Sequence, residues 1–264
     1  MNVSRRHFVT GAAAAALTSS HSLFAQSSAS PKGAATIPGT DTVLKFYKDG
    51  SVRPFAGNTV ICHLPAQCGM RDVMSEFREQ LKTSAFRNRL GLTTVDSYHM
   101  TIFAGANDQG RKASGWPAYV AEDSSIDQCN AAVMERMQKL RLQCELPFRV
   151  MIDVPATLSY PRACTLRMKA ANNQEEKKLR SVRDQLAVAY GFRLPGHTTY
   201  AFHVTMSYQM TPFTANEYKE YQDLLAAYVQ KMIAKQPVLE LGNPEYCTFA
   251  DMLRFTPSLL LSCR

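Results

Sequence analysis

The sequence predicts an α+β protein whose two similar lobes face each other across a central groove. Three observations carry that reading. The order strand, helix, histidine-bearing strand, helix, strand occurs twice after residue 58. Each copy holds nearly the same stretch, "YHMTIF" at 98–103 and "FHVTMSY" at 202–208, with 104 positions between the histidines. A chain of 264 residues, 45% of them hydrophobic, suffices for one large body or for two small lobes sharing a core.

The first residues stand apart from that body. "SRRHFVT" sets Arg5 and Arg6 ahead of a short apolar run, "GAAAAAL", and a small polar stretch, "TSSHSLFAQSS". That order reads as an export signal over residues 1–28. The arginine pair followed by Phe8 resembles the twin-arginine signature, which implies the twin-arginine export machinery as a partner and the periplasm as destination. The run from Gly11 to Leu17 is much shorter than the roughly 20 residues of a membrane-spanning helix, and no other segment qualifies. Residues 29–58, rich in Ser, Pro and Gly, read as linker and N-terminal extension with a short hairpin at Asp49 and Gly50.

The bilobal body is expected over 59–264, with lobes of about 59–158 and 159–264. In the first half "TVICHLP" (59–65) is a strand, and "MSEFREQLKTSAFRNRL" (74–90) spaces its apolar residues as a helix. The histidine strand 97–103 follows, then a loop rich in Gly and charge. Residues 124–143 start at a Ser or Asp cap and continue as an amphipathic helix, and 147–155 form another strand. The second half opens with strand 163–171 and a helix over 173–191, acidic at its start and closed by Gly191. Its histidine strand is 200–208 and its second helix 214–235. "PVLELG", "EYCTFA" and "LRFT" supply closing strands.

Side chains alternate along a strand, so His99, Thr101 and Phe103 share one face while Tyr98, Met100 and Ile102 take the other. In the second copy His203, Thr205 and Ser207 line one face, opposite Phe202, Val204, Met206 and Tyr208. Both strands are thus expected to turn an imidazole and a hydroxyl away from the core. A lone H-x-T is usually an ordinary polar pair; two copies at equivalent places of two matching halves are hard to ascribe to chance.

Two such motifs, each on the third element of a repeated half, resemble the two-histidine (2H) phosphoesterase superfamily over about residues 59–256. The resemblance implies pseudo-twofold symmetry, antiparallel sheets with helices outside, and neither metal nor cofactor. It also implies action on 2',3'-cyclic phosphodiesters and related nucleotide or RNA ends. By the same resemblance His99 and His203 match the catalytic histidines, and Thr101 and Thr205 the hydroxyls that hold phosphate oxygens. The long spacing between motifs and the export signal depart from compact members and leave the substrate open, as in an uncharacterised branch. A nucleotide or cyclic-phosphate small molecule, or a short RNA, is the expected ligand, and a monomer the expected assembly.

The chemistry also follows from the residues. Opening a cyclic phosphodiester needs a base to activate water, an acid for the departing oxygen, and donors for the phosphoryl oxygens. With an ordinary pKa near 6.5, one imidazole can be neutral while the other is protonated. His99 as base with His203 as acid, and the reverse, fit the sequence alike. The rivals are a non-catalytic periplasmic protein binding a phosphorylated ligand, and a metal-dependent hydrolase, which the lack of Asp or Glu in either motif disfavours.

Other residues weigh less. Arg111, Trp116 and Tyr119, in the loop after the first motif, combine charge and aromatic faces suited to stacking on a base and pairing with phosphate. Ser207 completes the polar face of the second motif. His63 is expected in a core or edge role and His197 in a loop; Arg149 and Arg167 lie on inner strands with no direction fixed. The formal charge of +8, about +6 without residues 1–28, weakly favours anionic ligands. Seven scattered cysteines exclude a disulfide framework and leave room for one or two bridges whose partners stay open.

Overall fold

Capping residues set the helix ends in the computed structural model, which describes residues 42–263; residues 1–28, read above as an export signal, and residues 29–41 lie outside them. The elements in chain order are α1 (Thr42–Lys45), β1 (Gly57–His63), α2 (Gly69–Thr83), β2 (Leu90–Leu92), β3 (His99–Asn107), α3 (Arg111–Ser114), α4 (Ile126–Lys139), β4 (Phe148–Ile152) and α5 (Val154–Leu158). They continue as β5 (Thr165–Ala170), α6 (Asn173–Tyr190), β6 (His203–Thr205), β7 (Ser207–Gln209), α7 (Ala215–Lys235), β8 (Leu239–Leu241), β9 (Glu245–Phe249) and β10 (Thr256–Leu260). Ser125 with Gln128, and Thr214 with Glu217, form reciprocal capping boxes that satisfy the first amides of α4 and α7. α6 starts on Asn172, carries Glu175 and Glu176 in its first turn and stops at Gly191, whose φ of 73° suits glycine.

Several predicted elements end early, among them the helix expected over 124–143, which stops at Lys139; two have a clear local cause. The helix expected to reach Leu90 stops at Thr83, because Phe86 turns into the core against Phe213 and Tyr221; a 3-10 turn and β2 take up the remainder. The strand expected over 147–155 ends at Ile152, where the Asp153 side chain accepts from the Ala156 amide and caps α5 with Pro155 in its first turn.

Eight strands form one curled antiparallel sheet, a half-barrel in the order β10-β9-β1-β3-β6-β5-β4-β8, while β2 and β7 pair separately. The fold is α+β, as expected. Its lobes are not the halves of the sequence. β4, which closes the first half, pairs with β5, whereas β9 and β10, which close the second, continue the sheet beyond β1. The first half therefore lends its last strand, and the second its last two, to the other side of the sheet, which binds the two into one body.

Helices cover the convex face. α2 packs on α7, with Phe77 and Tyr228 stacked at 5.0 Å, and α4 packs on α6. Across the sheet a smaller cluster of Phe46, Phe55, Met210 and Met252 gathers Tyr208, Phe249 and Phe255 around it. Phe46 and Phe55 belong to the segment read as linker. From Thr42 onward that segment is packed structure: Phe46 pairs with Val52 around a turn at Tyr47–Gly50, the expected hairpin, where Gly50 has φ 87°. One disulfide, Cys144–Cys263, ties the end of the chain to the loop after α4, and the other five cysteines are buried and unbridged.

Candidate functional site

The two motif strands meet at the centre of the sheet through a single pair, Met100 opposite Val204. Antiparallel register then sets His99 across from Thr205 and Thr101 across from His203. The histidines are diagonal neighbours, about 7–8 Å apart at the backbone. All four side chains line one cavity of about 340 Å³, together with Lys45, Phe55, Tyr200, Tyr208, Phe249 and Phe255.

Local backbone explains which neighbours join them. β3 pairs Val60 with Phe103 but Ile61 with Thr101, so Ile102 is an extra residue at a bulge. The bulge resets the alternation. Phe103, expected beside Thr101, turns into the core and stacks on Tyr190 at 4.7 Å, and Ala104 and Asn107 reach the cavity instead. In the second strand the chain leaves the large sheet at Met206 and re-pairs with β2. Tyr208, expected toward the core, consequently lines the cavity.

Both imidazoles are anchored alike. His99 Nδ1 lies 2.6 Å from the Ser97 carbonyl and His203 Nδ1 lies 2.9 Å from the Ala201 carbonyl. A carbonyl can only accept, so Nδ1 carries the proton in each ring and Nε2 is the position that gives or takes one. Burial, the largest cause, lowers the His99 pKa to about 4; His63 and His203 push the same way and the Ser97 bond opposes them. Phe255, 4.3 Å from the His99 ring, is part of that enclosure. Tyr200 hydrogen-bonds Thr101 and lies under the Arg183 guanidinium at 4.0 Å.

Residues singled out in the sequence divide. Arg111, Trp116 and Tyr119 do not line the cavity. Arg111 donates to the carbonyls of Glu122 and Ser124 and pairs with Asp108; Trp116 donates to the Val120 and Ala121 carbonyls; Tyr119 donates to the Ala189 carbonyl. Their polar atoms are spent on holding their own loop to the body. His63 sits behind His99, its Nδ1 2.7 Å from Glu245. His197 is in a turn but is buried, bonded to Asp184. Ser207 is buried and lines a smaller neighbouring recess. Tyr200 and Phe255 had no signal in the sequence, because neither belongs to a motif and each arrives from outside the β3–β6 pair.

A family model described as 2H-phosphodiesterase, domain of unknown function DUF1868, matches residues 45–159, which hold the first motif. The resemblance to an uncharacterised branch of the two-histidine phosphoesterases is thereby borne out. A conserved protein of unknown function from Agrobacterium tumefaciens has a similar crystal structure, with a TM-score of 0.76 and 26% identity over 85% of this chain and 93% of that one. A crystal structure described as a phosphoesterase aligns over 80% of this chain and 99% of its own, at 11% identity and a TM-score of 0.41. No curated protein matches the chain.

Proposed function

We propose, taking the two-histidine resemblance as premise, that this chain is a phosphoesterase that hydrolyses a cyclic phosphodiester on a nucleotide or an RNA end. The observation that carries the reading is the diagonal pair of histidines, each with a threonine opposite it, around one cavity. In the first step His99 Nε2, neutral at pH 7 because its pKa is low, takes a proton from water as its oxygen attacks phosphorus. The bond from phosphorus to one ribose oxygen breaks, and His203 Nε2–H protonates that oxygen. His99 ends protonated and His203 neutral, and exchange with solvent resets both. Thr101 and Thr205 donate to the non-bridging oxygens, whose charge grows in the transition state. The aromatic side of the cavity, Phe55, Phe249 and Phe255, offers faces on which a base can stack.

The twin-arginine-like leader supports a periplasmic site of action, where a scavenged cyclic nucleotide or RNA fragment is a fitting substrate. The deciding experiment offers 2',3'-cyclic and 3',5'-cyclic nucleotides to the protein in EDTA and identifies the monophosphate isomer released. Hydrolysis of the 2',3'-cyclic set in chelator is expected. Binding without turnover across the panel, or activity abolished by EDTA, would sink the reading.

A further inference from the structure

Beside the main cavity lies a recess of about 130 Å³, and the two share Lys45, His203, Thr205 and Tyr208 as walls. Its remaining walls come largely from β5 and the loop before it. In the sheet Thr165 pairs with Thr205 and Arg167 with His203, so these two side chains lie one strand beyond the motif, on the motif's own face. Arg162 joins them from the loop. The volume is well below the roughly 300 Å³ of a pocket for a whole small molecule, so it fits one group of a larger ligand.

Three observations give the recess a charge preference. Among the described residues neither Arg162 nor Arg167 has a carboxylate partner: Arg167 lies over the Tyr160 ring at 5.1 Å and Arg162 approaches the Tyr160 hydroxyl at 3.5 Å. Arg89, Arg149 and Arg180, by contrast, each pair with a glutamate. Second, Ser207 is 2% exposed and its Oγ has no hydrogen-bond partner, a cost that a ligand oxygen in the recess would relieve. Third, the pseudo-twofold counterpart is built differently. Ile61 and His63 hold the positions of Thr165 and Arg167 beside the other motif strand, and His63 is bonded to the Glu245 carboxylate. Among the described residues, the β5 side therefore presents arginines without a carboxylate partner and hydroxyls, where the other side presents Ile61 and a histidine already bonded to a glutamate.

We infer that this recess is a second anion subsite, and that the ligand of the groove carries two phosphate groups, one between His99 and His203 and one held by Arg162, Arg167, Thr165 and Ser207. The inference rests on the proposed phosphate chemistry of the main cavity and narrows its substrate class. The second phosphate can be a terminal 5'-phosphate or the internal diester of a longer strand. Arginine suits either, since its planar fork bonds two phosphate oxygens at once.

The test is equilibrium binding by calorimetry, which needs no turnover, so a failure of catalysis leaves it readable. The probes are adenosine 3'-monophosphate, adenosine 3',5'-bisphosphate, and a dinucleotide ending in a 3'-phosphate. At least tenfold tighter binding of one two-phosphate probe than of the monophosphate is expected, and the probe that gains tells the terminal phosphate from the diester. Arg162→Ala, at an exposed position, and Arg167→Ala should each reduce that gain at least fivefold. Ser207→Ala should reduce it while leaving the thermal midpoint unchanged or higher; a purely structural serine would move the midpoint and not the ratio. Equal affinity for all three probes, or a gain that survives in both arginine variants, overturns the proposal.

Discussion

His99 sits where burial works against its own charge. Replacing His99 or His203 with Ala is expected to lower turnover by about 10² to 10⁴, and Thr101→Val or Thr205→Val by about 10² through loss of one donor; steady-state kinetics on folded variants checks both. The pH profile is the sharper measurement. With His99 as base and its pKa near 4, the acid limb of kcat/KM, below which the rate falls, should lie near pH 4. Phe255→Ala, by admitting water, should move that limb up toward the ordinary 6.5. A wild-type limb already at 6.5 would transfer the role of base to His203. The same group adds a stability term. Its native pKa lies below the unfolded value, so the unfolded chain binds the extra proton first, and stability is lost as pH falls from about 6.5 to 4. Chemical denaturation at pH 7 and pH 4.5 should show this loss in the parent and less of it in His99→Ala. At this scale the motif residues were legible in the sequence, whereas the partners that tune them were not. Ser97, Phe255 and Tyr200 become neighbours of the motifs only through backbone turns and packing.

At the scale of elements, period and caps were readable because they are local: α6 and α7 begin and end where Asn172, Thr214 and Gly191 place the boundaries. Alternation on the motif strands failed at two points, since the bulge at Ile102 and the break at Met206 depend on pairing with other strands, which spacing does not encode. The segment 42–56 shows the same limit. Its composition reads as linker, but Phe46 and Phe55 bury themselves over Tyr208, Met210 and Met252, and Phe46 lies 5.1 Å from the Tyr208 ring. This makes the segment a wall of the cavity. Phe46→Ala removes the anchor from a small cluster separate from the main core, so the segment should open locally without unfolding the body. Protease cleavage within 42–56 and a KM raised several-fold are expected, with the main melting transition little changed; a protected segment and an unaltered KM would refute that role.

At the scale of the molecule, the exchange of β4 against β9 and β10 across the sheet means that neither half can complete its sheet alone. The Cys144–Cys263 bridge adds a long-range tie, closing a loop across a sequence separation of 119. Cys144→Ser should lower unfolding free energy by about 2–5 kcal/mol, measured by denaturant titration, while leaving turnover at ambient temperature near the parent's, since neither cysteine lines the cavity. The sequence by itself determined the α+β class, the repeated element order and the four motif residues, because these rest on short-range periodicity and on residue types repeated in register. Only the tertiary structure decided which strand serves which lobe, which cysteines pair, and which aromatic and basic side chains surround the motifs. Those outcomes depend on contacts between residues distant in the chain, and many sequences of the same local pattern would satisfy them differently.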